Sequence, residues 1–221
     1  YQIQDKVRSL GLSGENEKNG TPTMGGLIII PSIIFPTLLC ARLDNIYIIV
    51  MIISTILLGL IGFLDDYIKV FQNNKQGLAE KSKLMGQFFI GIIVGLVMIY
   101  HPDIDSTINF QTTLPFLKNN AFNYELLTNY TGVNTTILFI GSVVFIVMAV
   151  SNSANITDGL DGLTTSLSII IGVTLILFCY VSGNAITADY LNILYIRGSG
   201  ELTVFMSAFV GACFGFLWYN T

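Results

Sequence analysis

Six long apolar stretches punctuate the chain: Gly25–Ala41, Ile46–Leu64, Met85–Tyr100, Thr135–Val150, Leu163–Val181 and Leu202–Tyr219. Each comes close to the ~20 residues an α-helix needs to cross a bilayer core. Hydrocarbon offers no water to backbone N–H and C=O groups, so a crossing segment must satisfy them internally, as a helix does. The pattern therefore predicts an all-α, polytopic membrane bundle of about six transmembrane helices, a single domain over residues 1–221. Pro31 and Pro36 lie within the first stretch and predict a kink there. Between His101 and Asn134 the apolar pattern stops, and a short hairpin or loop cap is expected.

Composition supports the membrane reading over six buried helices in one soluble globule. Only 11% of the 221 residues are charged, against about 25% in soluble domains. With six crossings both chain ends lie on one side of the bilayer. That side carries Lys6, Arg8, Lys18, Lys69, Lys75, Lys81 and Lys83; the other carries Arg42, Lys118 and Arg197, seven against three. Lys and Arg concentrate in cytoplasmic loops, so the ends and the Asp65–Lys83 connection are expected to face the cytoplasm. Cys40, Cys179 and Cys213 sit apart in apolar stretches with no metal-ligand spacing, and read as small buried hydrophobes. His101, the sole histidine, has no partner motif.

On this topology the polar clusters share the cytoplasmic side. "KNGTPTMGG" (Lys18–Gly26) opens the first helix, with Thr21 and Thr23 as candidate caps and an anion-attracting helix start. In "GFLDDYIKV", a continuing helix puts Lys69 four residues after Asp65 and three after Asp66, on a common surface. Adjacent carboxylates repel each other, and a membrane edge raises that cost. A divalent cation relieves both, and Mg²⁺ accepts carboxylates plus phosphate oxygens. The alternative is an interfacial acid pair with an outward-snorkelling lysine. Lys81 and Lys83 precede the returning helix, as orientation signals or as counter-charges to phosphate. The fourth cluster is the loop "SNSANITDGLDGL"; Asn152 and Asn155 are three apart, as are Asp158 and Asp161, so each pair projects on one side of a helical turn, and no Lys or Arg balances them. Together these form a shallow cleft suited to a diphosphate and Mg²⁺.

The order and intervals of "KNGTPTMGG", "GFLDDYIKV" and "NSANITDGLDGL" resemble the polyprenyl-phosphate N-acetylhexosamine-1-phosphate transferase superfamily. The "TPTMGG" form is most similar to its phospho-N-acetylmuramoyl-pentapeptide transferase branch. The resemblance runs from about Gln2 to the last residue. It implies transfer of phospho-MurNAc-pentapeptide from UDP-MurNAc-pentapeptide to undecaprenyl phosphate, giving lipid I and UMP in peptidoglycan synthesis. It also implies Mg²⁺ dependence, a multi-pass place in the bacterial inner membrane and a cytoplasmic active site. It leaves a homodimer open, and no nucleic-acid partner is expected. By the same resemblance Asp65, Asp66, Lys69 and Asp158 are expected to be catalytic. Lys18, Lys81, Asn152, Asn155, Asp158 and Asp161 are expected to bind substrate, and Thr21 and Thr23, at the anion-attracting helix start, are expected to do so beside them. The family's further metal-binding aspartate, in an aromatic-Met-Gly-Asp segment, would follow Thr221, and a further helix would precede Tyr1.

Adjacent helical residues diverge by about 100°, so the two aspartates are not expected to share one metal. Asp66 is the expected metal ligand and Asp65 the residue facing the lipid phosphate, the reverse assignment remaining open. A largely dianionic phosphomonoester needs little help from a base, which favours direct in-line attack. A covalent aspartyl intermediate is the alternative mechanism. The rival functions are a GlcNAc-1-phosphate transferase of the same superfamily, an Asp-rich prenyl transferase and a cation-coupled transporter. Lys69 stands where the prenyl transferase would carry more acid, and the transporter would place charges near the midplane.

Overall fold

The structure, a computed structural model, describes residues 24–71, 77–104, 110–113, 121–123, 132–157 and 162–219. Among these residues the helices are α1 (Gly26–Cys40), α2 (Ile46–Phe71), α3 (Glu80–Tyr100), α4 (Thr135–Thr157), α5 (Leu163–Ser182), α6 (Ala185–Leu191) and α7 (Leu202–Tyr219). A single turn of 3-10 helix, Ser199–Glu201, leads into α7. Two short strands, β1 (Gln111–Thr113) and β2 (Ala121–Asn123), pair antiparallel, so the expected hairpin is present.

Among the described residues five helices are long and apolar enough to cross a membrane: α2, α3, α4, α5 and the 199–219 run that contains α7. Their outer faces are covered with large apolar side chains, Phe145, Ile170 and Leu177 among them, each more than half exposed. Water would penalise such a surface, whereas lipid is its natural solvent. The protein is an integral membrane protein with a polytopic helical bundle. Of the about six apolar helices expected, one is shorter than the rest. Helix α1 has 15 residues, about 22 Å at 1.5 Å per residue, which is short of a hydrocarbon core of about 30 Å.

Helices in lipid gain little from excluding water, so they associate where small residues let backbones approach. Helix α3 packs on α4 in this way. A Cβ on Gly91 would come within 2.8 Å of the Val144 Cα, and one on Gly95 within 3.4 Å of the Ile140 Cα. Helix α7 is the other hub, packed against both α1 and α5. Its Phe205 and Met206 meet Ile33 of α1 and Ile48 of α2, and its Val210 and Cys213 meet Ile169 of α5.

Three elements extend beyond their apolar stretches. Helix α2 continues through Asp65, Asp66 and Lys69 to Phe71, and α3 begins at Glu80 rather than Met85. Helix α4 runs on to Thr157, so the helical spacing expected of Asn152 and Asn155 is present, in a continuation of the membrane helix rather than in a separate loop. Ser and Asn are indifferent helix formers. Here Ser151 and Asn152 are held by a side chain of α3, and tertiary bonding overrides local preference.

At the end carrying Arg42 and Glu201, the α1–α2 connection is tied to the approach to α7. The Arg42 N–H donates to Glu201 Oε2 at 3.1 Å, and Asn45 Nδ2 donates to the Gly198 carbonyl at 2.8 Å. The opposite end gathers the start of α1, the end of α2, the start of α3 and the end of α4.

Candidate active site at one end of the bundle

Asp65 and Asp66 are neighbours in sequence and differ sharply in surroundings. The Asp65 side chain is 9% exposed, with Lys69 Nζ 2.7 Å and Lys83 Nζ 2.8 Å from its Oδ2. Its Oδ1 accepts a 2.7 Å hydrogen bond from the Leu78 N–H. Lys69 lies on its own helix, Lys83 on α3 and Leu78 just before α3, so this one carboxylate joins α2 to α3. A buried carboxylate is tolerable when paired and fully hydrogen-bonded, as here. Gly77 makes the approach of the connecting backbone feasible. Its φ is +67°, and a Cβ there would collide with Asp65 Oδ1 and stand 2.7 Å from Lys69 Cε.

The Asp66 side chain, turned away by the helical step, is 46% exposed, with Lys69 Nζ 3.9 Å from its Oδ1. It stands at an apolar groove of about 450 Å³ between α1 and α2, lined by Gly26, Leu27, Pro31, Gly59 and Phe63. Phe63, Tyr67 and Phe71 form a ladder along α2, with ring centroids 6.0 and 4.7 Å apart. Of the three, Tyr67 is the amphipathic kind that favours the membrane–water boundary. A larger cavity of about 1200 Å³ includes Arg42, Asn45, Arg197 and Glu201 in its lining, at the other end of the helices from the acid pair.

The predicted Asp65–Lys69 and Asp66–Lys69 proximities are both present. Lys81 is exposed, and among the described residues the lysine after α2 that reaches Asp65 is Lys83, on α3. Residues two positions apart on a helix diverge by about 200°, so Lys81 and Lys83 cannot face the same way. The signal was available: Lys83, Gln87, Gly91 and Gly95 recur every four residues along the packed face of α3. The sequence alone gives Gln87 no role. It is buried, its Nε2 donates to Ser151 Oγ at 2.9 Å, and its Oε1 accepts from Asn152 Nδ2 at 2.8 Å. Asn152 is thereby drawn towards α3, while Asn155 is exposed. Lys18, Thr21, Thr23, Asp158 and Asp161 lie outside the described residues. So does the cap expected from the threonines; the N-cap position of α1 is Gly25, with no side-chain cap.

Among the described residues no three His, Cys, Asp or Glu side chains converge as a metal cage. The chemistry of the pair still separates the two carboxylates. Two ammonium groups already crowd Asp65, and a cation added there would be repelled. Asp66, half exposed, fits a hard cation of the sort that takes one or two carboxylates and completes its shell with phosphate and water.

These features define a class: a polytopic membrane protein with a lysine-clamped acid pair at one end of its bundle, beside an apolar groove. Comparison with known proteins narrows the class. The family model for glycosyl transferase family 4 matches residues 48–221, and the chain belongs to that family. Residues 18–30 match a phospho-N-acetylmuramoyl-pentapeptide-transferase signature. The chain is 50% identical to a phospho-N-acetylmuramoyl-pentapeptide-transferase of Azobacteroides pseudotrichonymphae, covering 100% of this chain and 58% of that protein. Proteins of the same name from Parabacteroides distasonis (48% identical, 100% and 58%) and Flavobacterium psychrophilum (47%, 100% and 61%) are similar to it as well. The chain thus spans about three fifths of the length of these curated relatives.

Proposed function

We propose that the whole protein transfers phospho-MurNAc-pentapeptide from UDP-MurNAc-pentapeptide to undecaprenyl phosphate, forming lipid I and releasing UMP for peptidoglycan synthesis. The site works at the cytoplasmic face of a bacterial inner membrane. The relatives' shared name and the signature at residues 18–30 support the substrates. The observation that carries the reading is the pairing of Asp66, half exposed beside an apolar groove, with the buried Asp65 and its two lysines. A lipid-linked phosphate meeting a water-soluble nucleotide needs such a boundary.

In the proposed reaction an oxygen of the undecaprenyl phosphate attacks the sugar-side phosphorus of the diphosphate. The new P–O bond forms as the bond to UMP breaks, and UMP departs with the bridging oxygen. The acceptor, largely dianionic at neutral pH, is its own nucleophile. Mg²⁺, held by Asp66 together with substrate phosphates, would supply charge neutralisation for the leaving phosphate. Asp65 reaches the substrates through Lys69 and Lys83: it fixes both ammonium groups at one point, where they offset phosphate charge without reorganising. The apolar groove between α1 and α2 keeps the prenyl chain in a lipid-like medium while its head meets the site.

The full-length protein in proteoliposomes containing undecaprenyl phosphate is expected to exchange radiolabelled UMP into UDP-MurNAc-pentapeptide. Exchange into UDP-GlcNAc alone would replace the sugar assignment with the GlcNAc-1-phosphate alternative. Cation flux without exchange would overturn the transferase reading.

A further inference from the structure

A buried carboxamide is an expensive way to fill space, because its polar atoms cost free energy unless bonded. Gln87 is 6% exposed, yet it sits one turn beyond Lys83 on the face that packs against α4. Leucine would fill such a position without polar cost. Both ends of its amide are engaged, and both partners belong to α4. Nε2 donates to Ser151 Oγ at 2.9 Å, and Oε1 accepts from Asn152 Nδ2 at 2.8 Å. Asn152 Nδ2 also donates to the Met148 carbonyl at 2.7 Å.

The polarity of this chain has a consequence. A carboxamide has two N–H donors and one carbonyl acceptor. Gln87 and Met148 use both donors of Asn152, so the carbonyl oxygen is the polar group Asn152 has left to offer. Were Gln87 turned the other way, the amide of Asn152 would have to turn with it. The stripe that includes Gln87 also sets the height of α4 against α3, since Gly91 and Gly95 lie against Val144 and Ile140. Lys83, at the head of the stripe, is bound to Asp65. One face of α3 therefore connects the acid pair to Asn152.

We propose that Gln87 is a positioning residue for the nucleotide: it holds Asn152 with its carbonyl oxygen presented as the acceptor for an N–H or O–H of a uridine nucleotide. This rests on the functional reading above. Gln87 itself touches no substrate, and its effect passes through Asn152.

The test uses the full-length protein, with UMP binding followed by calorimetry and turnover followed in proteoliposomes. Gln87→Met keeps the volume and removes both hydrogen bonds. It is expected to weaken UMP binding and raise KM for the UDP-sugar about tenfold, the equivalent of one good hydrogen bond. KM for undecaprenyl phosphate and kcat should stay within about twofold. Gln87→Glu keeps an oxygen that accepts from Asn152 and another that Ser151 Oγ can donate to, and should recover most of the lost affinity. If Gln87→Met fails to accumulate in membranes, Ser151→Ala, which removes one anchor of Gln87, should give a smaller loss with the same selectivity. Unchanged UMP affinity in whichever variant accumulates overturns the proposal, as does an equal loss in kcat and both KM values. A wild-type protein that binds no uridine nucleotide sinks the functional reading as well, so the two failures are distinguishable.

Discussion

The two ends of this bundle handle charge in opposite ways. At one end, Arg42 and Asp44 pair at 2.9 Å, two residues apart, with side chains 71% and 69% exposed. The hydrogen bond from Arg42 holds the Asp44 carboxyl below its usual range, and the pair remains charged at neutral pH. Water and salt screen such a contact, and it organises only its own turn. At the other end Asp65 is buried, and its partners come from α2, from α3 and from the backbone between them. There the charges set the relative placement of two helices and leave the neighbouring Asp66 turned outward. The larger cavity is at the first end and the better-organised charges are at the second, so volume alone is a poor guide to the chemistry.

Mutations at the two ends should therefore differ in size and in kind. The largest expected effect is at Asp66. Asp66→Asn in the full-length protein should lower lipid I formation in membranes by at least ~100-fold, the scale of losing one electrostatic stabiliser of a transition state. Protein levels should hold, because the side chain is half exposed. Near-normal product formation would remove Asp66 from the metal role. Next is Lys83→Met, which leaves Asp65 short of a partner. Breaking a buried pair costs ~3–5 kcal/mol, and the partial exposure of Lys83, 21%, puts the expectation at the lower end of that range. The melting temperature in detergent should fall by several degrees, whereas Lys81→Met, a change at an exposed position, should leave it unmoved. Equal behaviour of the two lysine variants would erase the distinction drawn between them. The smallest effect is expected at the water-exposed pair. Asp44→Ala should change neither the melting temperature nor product formation, and a loss of activity beyond twofold would bring the Arg42 end into the mechanism.

Much of this was legible in the chain. The length of the apolar blocks located the six long apolar helices among the described residues, and helix count put the end of α2, the start of α3 and the end of α4 on one side, where they lie together. The i, i+3 and i, i+4 spacing of Asp65, Asp66 and Lys69 predicted contacts that are present at 3.9 and 2.7 Å. The extension of α4 through Ser151–Thr157 was not legible, because the bonds that stabilise it come from Gln87, 64 and 65 residues away from Ser151 and Asn152. The choice between Lys81 and Lys83 was half legible: the four-residue stripe along α3 was in the sequence, but not which helix it would meet.

The sequence by itself determined that this is a membrane helical bundle with an acid pair and lysines at one boundary, since solvent preference and helical spacing act on neighbouring residues. Only the tertiary structure decided that Asp65 is enclosed while Asp66 is turned to the groove, that Lys83 supplies the second ammonium group, and that Gln87 joins α3 to α4. Two adjacent carboxylates have the same local chemistry. What distinguishes them is the distance to groups on other helices, and that is set by how closely glycine stripes and buried side chains allow those helices to pack.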